Sequence, residues 1–298
     1  MTAAWPDWNT GLHLEETPGP TRTNNILLTL DENEKSRVAI PVGRRLAELY
    51  GAVIHVSYVG ERRLEPKEMA SALGFTSEES RTVVFEPTQP NRDPLTRPTR
   101  ELTDVLLVLS TAVGLKEQSN RFGSITESVF ATRPQRAVLV NPERGEKPWN
   151  LRRILLAHDG TPVSNPAIQF AADLAQRAKA EVIAVHVAAR GQDRPDAPGS
   201  IAAPLYIDQP QHEWPGWAEE FMNRIAASGA LDAGAKFKLK VIAGQAGSEL
   251  AGAARGQNID LVIMAWHGHW ADHEYCATRV VVRNAGCPVM LVRSNAGD

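Results

Sequence analysis

Short apolar runs alternate with amphipathic stretches along this chain, and the alternation runs through two rounds. The rounds open with "ILLTLD" (26–31) and "ILLAHD" (154–159), each read as a short strand ending in aspartate. A helix follows. Ala167, Phe170, Ala171, Leu174, Ala175 and Ala178 recur three and four residues apart, which puts them on one apolar helix face. "AVIHVSYV" (52–59) and "EVIAVHV" (181–187) are rich in β-branched residues and predict second strands. "RTVVFE" (81–86) and "KFKLKVIA" (236–243) predict third strands, and "DVLLVLS" (104–110) and "DLVIMAW" (260–266) fourth strands of almost unbroken apolar character. "RAVLVN" (136–141) and "PVMLVR" (288–293) predict the fifth. Helical segments lie between them, the clearest being "GSELAGAARGQ" (247–257), with Ser248 in a capping position. Continuous apolar strands alternating with helices predict an α/β architecture: a parallel sheet covered by helices on both faces, with right-handed crossovers.

The two rounds are copies. At a constant offset of 128, Ile26 meets Ile154, Asp31 meets Asp159, Ser36 meets Ser164, Ala39 meets Ala167 and Leu46 meets Leu174. Ala47 meets Ala175 and Val59 meets Val187, without a gap. Later, "TDVLLVLS" (103–110) resembles "IDLVIMAW" (259–266), and "QRAVLV" (135–140) resembles "CPVMLV" (287–292). Residues 24–142 and 151–295 are therefore expected to form two domains behind an extension at 1–23, joined by the polar, Pro- and Gly-bearing "NPERGEKPWN" (141–150).

Composition narrows the class. Hydrophobic residues at 43% and charged residues at 22% are ordinary for a globular protein. A net charge of -3 offers no general attraction for nucleic acid or anionic membrane, and neither is expected as a partner. No apolar run approaches the ~20 residues of a membrane span. The start "MTAAWPDWNT" has neither the basic nor the apolar segment of a signal peptide. Two cysteines are no disulfide framework, and a reducing cytoplasm is expected.

The segment "ILLAHDGTPVSNPAIQFAADLAQRAKAEVIAVHV" (154–187), closing with "IDLVIMAWHG" (259–268) and "RNAGCPVMLVR" (283–293), resembles a universal stress protein domain. The resemblance covers nearly all of 152–293 and, more weakly, 24–142. It implies two tandem doubly wound domains, each a five-stranded parallel sheet of order 3-2-1-4-5 flanked by helices. It also implies a covalently linked version of the family's usual dimer, which could pair again as a homodimer.

Many members of that family bind ATP through a loop after strand four, G-x2-G-x9-G-[ST]. Glycines there let backbone amides approach phosphates, and the last pair opens a helix whose N-terminus favours anions. In the first half, Gly123-Ser124 fills the terminal slot, while Ser110 and Val113 stand where the earlier glycines belong. Gly114 is adjacent and fills the slot if the loop shifts by one. Asp31 is kept, but "DEN" replaces the family's "DG[ST]". The bland alternative is a turn and a helix cap.

In the second half Asp159-Gly160-Thr161 fits the first loop, Gly268 fits the second glycine slot, and Ala265 stands in the first. The stretch from strand four to the last helix reads as four residues shorter: 17 positions from Met264 to Val281 against 21 from Val108 to Val129. Tyr275-Cys276 then falls on the G-[ST] slot, where tyrosine would crowd a triphosphate. The nucleotide site is therefore read as degenerate, and Asp159 as equally fit to start a turn or cap a helix.

That shortened loop, "HGHWADHEYC" (267–276), carries three histidines. His267 and His269 share one side of an extended backbone, and with His273 and Cys276, or Asp272 or Glu274, they could complete a tetrahedral zinc site. His158 and Asp159 are expected at the same switch point. The alternatives are a polar loop packed by Trp266 and Trp270, or a pocket for another ligand with a tryptophan stacked on its ring. Catalysis has little support, since G-x-S-x-G, HExxH and GxxxxGK[ST] are all missing. Cys287 reads as a structural thiol, and His55 and His186 as strand residues of the core or edge. The insertion at 189–217 reads as a lid or partner surface, with Trp214 and Trp217 packed on their own domain or docked on a neighbouring subunit, and Trp5 and Trp8 read as anchors of the N-terminal tail unless that tail is mobile. The resulting expectation is a stress-response binding or signalling module. Its ligand is a small molecule, ATP or another adenine nucleotide or zinc among the candidates, and any reaction is at most weak ATP hydrolysis.

Overall fold

The computed structural model describes residues 22–60, 64–76, 78, 82–86, 102–112, 122–132, 134–188, 220, 223, 237–266 and 276–294. The strands are β1 (Asn25–Asp31), β2 (Val53–Val59), β3 (Val83–Glu86), β4 (Val105–Ser110), β5 (Arg136–Val140), β6 (Arg153–Ala157), β7 (Glu181–Ala188), β8 (Phe237–Ala243), β9 (Leu261–Trp266) and β10 (Val289–Arg293). The helices of the described residues that concern us are α1 (Ala39–Tyr50), α2 (Pro66–Ala72), α3 (Ser124–Ala131), α4 (Asn165–Ala178), α5 (Ala246–Gly256) and α6 (Ala277–Asn284).

All ten strands join one sheet, ordered β3-β2-β1-β4-β5-β10-β9-β6-β7-β8. Each half is thus a parallel sheet of order 3-2-1-4-5, and the halves meet through the antiparallel pair β5–β10. The repeat holds at the level of register. Ile26 pairs with Ile54, and Ile154 with Val182. Leu28 pairs with Val108, and Leu156 with Ile263. Val108 pairs with Val138, and Ile263 with Met290. Val138 and Met290 are therefore counterparts, and they face each other across the β5–β10 junction, where a pseudo-twofold axis must pass.

These pairings correct the alignment of the fourth strands. Val108 corresponds to Ile263, one residue short of Met264. A one-residue slip would swap the two faces of a strand. Leu106, Val108, Leu261 and Ile263 share one core layer, while Leu107, Leu109, Val262 and Met264 share the other. Two smaller expectations also shift. β6 stops at Ala157, although the His158 amide still donates to the Val185 carbonyl at 3.1 Å. Gln245, not Ser248, is the N-cap of α5, and Ser248 lies within the helix.

The helices form as their sequences require. In α4, Ala167, Ala171, Leu174 and Ala175 are buried, with Phe170 and Ala178 at the margin of the core. Pro166 is tolerated in the first turn, where an amide is not needed. α1 stops at Gly51, whose left-handed φ of 66° suits glycine. One core layer runs under α1 and α4, and the other under α3, α5 and α6. Both layers cross between the halves. Arg177 sits over the Tyr50 ring at 4.8 Å, and Arg279 of α6 pairs with Glu127 of α3 at 3.3 Å. The linker closes the second half's amino edge. The Trp149 indole N–H donates to the Asp260 carbonyl at 2.9 Å, and the Asp260 carboxylate accepts the Arg152 and Arg153 amides. A cavity of about 370 Å³ lies there, but its lining groups Arg144, Trp149 and Asp260 are already bonded within the joint.

Candidate functional site

In open α/β sheets, ligands bind outside the carboxyl ends of the strands where strand order reverses. Those points lie between β1 and β4 in the first half, and between β6 and β9 in the second. Because β5 and β10 are antiparallel, the two crevices open at opposite ends of the sheet.

In the first crevice Asp31 ends β1, and its Oδ1 accepts the Asn33 amide at 3.1 Å. The Ser36 hydroxyl donates to the Asp31 carbonyl at 3.2 Å. Ser110 ends β4 fully buried, its Oγ accepting the Ala112 amide at 3.2 Å. Gly123 caps α3 with φ -57° and ψ 148°, and its amide donates to the Thr111 carbonyl at 3.0 Å. The Thr126 hydroxyl donates to the Ser110 carbonyl at 3.2 Å, so β4 and the start of α3 are stitched together. Ser124 is exposed as the first residue of α3. The Ala112 and Gly123 amides thus already have protein acceptors. Val113 and Gly114 lie outside the described residues.

The second crevice begins with a tight turn. Asp159 Oδ1 accepts from the Thr161 amide at 2.8 Å, the Thr161 hydroxyl at 2.7 Å and the Ser164 hydroxyl at 2.7 Å. Desolvation pushes the Asp159 carboxyl up, but these three donors outweigh it and hold its pKa below the ordinary value. Gly160 is buried at φ +84°, a conformation that favours glycine. Beneath the turn, His158 Nδ1 accepts the Gly160 amide at 3.0 Å, and His158 Nε2 lies 3.3 Å from Asn165 Oδ1. His186 Nδ1 lies 3.1 Å from the His158 carbonyl. Burial lowers the pKa of both rings.

Across the crevice, Cys276 caps α6 with φ -54° and ψ 124°, close to the values at Gly123. Since α3 and α6 both run eight residues from these caps, Cys276-Ala277 occupies the G-[ST] slot, and Tyr275-Cys276 falls one residue short. From Ser110 to Gly123 is 13 positions and from Ala265 to Cys276 is 11, so the loop is two residues shorter than its counterpart, not four. The backbone at this slot does not demand glycine, because both caps have negative φ.

His267, Gly268, His269, Trp270, Asp272, His273, Glu274 and Tyr275 lie outside the described residues, as do Trp5, Trp8, Trp214 and Trp217. Among the described residues no cluster of three or more His, Cys, Asp or Glu side chains is placed to hold a metal. Trp266 packs edge-on against Phe130 of the other half, centroids 5.0 Å apart at 75°, so this tryptophan belongs to the core. His55 is a buried strand residue between Glu86 and Asn25, at 3.1 Å from each. Sequence reasoning passed over Ser36 and Ser164 as site residues, although they are identical in the two copies. It also passed over Asn165, Thr111 and Thr126, for which no pattern in one sequence gives a signal.

Residues 150–293 match the model of the universal stress protein family. Comparison with curated proteins gives no match. Among solved structures, one described as a universal stress protein of Pseudomonas aeruginosa UCBPP-PA14 aligns with a TM-score of 0.63 at 14% identity, covering 92% of this chain and 95% of that one. A functionally unknown protein of Pseudomonas aeruginosa PAO1 aligns at 0.63 and 12% identity, covering 92% and 94%. A universal stress protein of Archaeoglobus fulgidus DSM 4304 aligns at 0.59 and 14% identity, covering 94% and 99%. At these identities the likeness shows a shared α/β fold.

Proposed function

We propose that this chain is a tandem universal stress protein: two domains of that family, about residues 24–142 and 151–295, in a cytoplasmic stress-response binding and signalling module. The observation that carries the reading is the register-for-register repetition of the second half's sheet, the half that matches the family model, by β1–β5. Both nucleotide sites are degenerate in this reading. Ser110 replaces a glycine and engages the Ala112 amide, and Cys276 stands in the slot that Gly123 fills in the first half. The ligand is a small molecule held at the β1/β4 or β6/β9 crevice, and no hydrolytic step is assigned to either.

A second reading gives the first crevice to an adenine nucleotide. It is favoured by Asp31, Ser110 and the Gly123-Ser124 helix start at one switch point, with α3 directing its N-terminus there. The test is chromatography of the supernatant after denaturing freshly purified full-length protein, followed by calorimetric titration with ATP. The degenerate reading expects no co-purified nucleotide and no binding heat. Stoichiometric adenine nucleotide, lost in Gly123→Glu, would establish the second reading instead. Elemental analysis of the same tag-free preparation tests the zinc site of His267, His269, His273 and Cys276, which requires one metal per chain that disappears in His267→Ala.

A further inference from the structure

His158 and His186 stand where the first half has Leu30 and Tyr58 at the same offset of 128. Both are buried. Their hydrogen bonds have opposite senses. His158 Nδ1 receives an N–H from Gly160, so that nitrogen carries a lone pair and no proton. His186 Nδ1 faces a carbonyl oxygen, so that nitrogen carries the proton and keeps its bond when the ring becomes charged. Protonation of His158 sets one N–H against another and abolishes the contact with Gly160.

Three groups among the described residues bear on the charge of His158. Asp159 lies on its own turn, His186 on β7 and Asn165 at the start of α4. On β8, Val241 pairs with His186, and on β9 Ala265 is the position after the Met264 that pairs with Ala157. Burial and the neighbouring His186 disfavour a charged His158, whereas Asp159 favours it. Asp159 is already committed to three donors on the turn.

We propose that His158 is an acid-released latch on the Asp159–Ser164 turn: the neutral ring pins the Gly160 amide and sets the turn at the mouth of the second crevice, and protonation frees it. Acidification then loosens one crevice and leaves the other alone, because Leu30 does not titrate. The latch does not rest on the identity of any ligand.

The test is backbone amide hydrogen exchange of full-length protein by NMR, with Gly160 protection corrected for intrinsic rate between pH 7.5 and 5. Wild type is expected to lose Gly160 protection by about tenfold per pH unit below ~6.5, one proton being coupled to opening. Ile154 and Leu156, which exchange only when the sheet itself opens, should stay better protected than Gly160 at every pH. His158→Asn keeps a non-titrating acceptor near the Nδ1 position and is expected to hold Gly160 closed throughout. His186→Asn is expected to leave the transition in place. Unchanged wild-type protection down to pH 5, the same loss in His158→Asn, its disappearance in His186→Asn, or Gly160 exchange no faster than that of Ile154 and Leu156 would each overturn the proposal. Should His158→Asn not fold, the carbon-bound ring protons of wild-type His158 decide: their midpoint must fall below ~6.5, where Gly160 protection is fully lost, and a ring that becomes charged while Gly160 stays protected rejects the latch.

Discussion

At the scale of single residues, chemistry turns on which atoms are already spoken for. Asp159 illustrates this, since its exposed position suggests a ligand contact while its Oδ1 holds the turn that starts the second crevice. Asp159→Ala should cost at least about 1 kcal/mol, the usual net loss for a hydrogen-bonded side chain, read as a shift in the urea midpoint. The histidine pair sets a pH dependence for the whole fold. Both folded rings have lowered pKa values, so below ~6.5 the unfolded chain binds protons that the folded chain resists. Stability is therefore complete above that pH and falls as the pH drops through it. His158→Leu combined with His186→Tyr, the residues of the first half, should flatten the difference in urea midpoint between pH 7.5 and 5.5. The two thiols should differ as well. Cys287 is buried, and its pKa is pushed up to about 12, chiefly by burial and then by Asp260, whereas Cys276 is partly exposed. A thiol reagent at pH 8 should label one thiol quickly and the second only in denaturant. Equal rates would refute this assignment of environments.

Among secondary elements, contact geometry decides what a substitution costs. Gly247 lets α5 approach the first turn of α6. A Cβ there would come within 2.8 Å of the Val280 Cβ and 3.1 Å of the Ala277 backbone. Gly247→Ala gains up to ~1 kcal/mol of helix propensity, but overpacking costs about 1–3 kcal/mol. A net fall in thermal midpoint is expected, and a rise would mean that the two helices separate without penalty. The elements themselves were readable in the sequence because their apolar spacing is strong. β7 and α4 appear close to where the pattern puts them. The fourth-strand alignment slipped because "DVLLVLS" and "DLVIMAW" are apolar on both faces. A strand buried on both sides carries no alternation to fix its register, and a matching aspartate drew the alignment one residue too far. Only pairing with β1 and β6 settles it. The candidate site was half readable for a related reason. The Asp-Gly-Thr turn is written locally, whereas the bonds from Thr126 to Ser110 and from Gly123 to Thr111 join positions that meet only after folding.

For the molecule as a whole, the junction matters more than either half. Val138 and Met290 face each other in the middle of a ten-stranded sheet, both fully buried. The β5–β10 ladder, the Phe130–Trp266 contact and the Glu127–Arg279 pair all cross that line. A half without its neighbour would expose an unpaired strand edge and two cut core layers. Folding should therefore be cooperative across the chain, although sequence suggests two domains. Val138→Asp places a carboxylate where both halves need apolar surface, and should cost on the order of 3 kcal/mol or more. Val84→Asp, at a 44% exposed position on the edge strand β3, should stay within about 0.5 kcal/mol. Hydrogen exchange read by mass spectrometry on peptides from 25–59 and 153–188 distinguishes the possibilities. Cooperative folding requires Val138→Asp to weaken protection in both peptides by the same factor. Independent halves would leave 153–188 protected while 25–59 opens, and a urea titration of the wild type would then resolve two transitions.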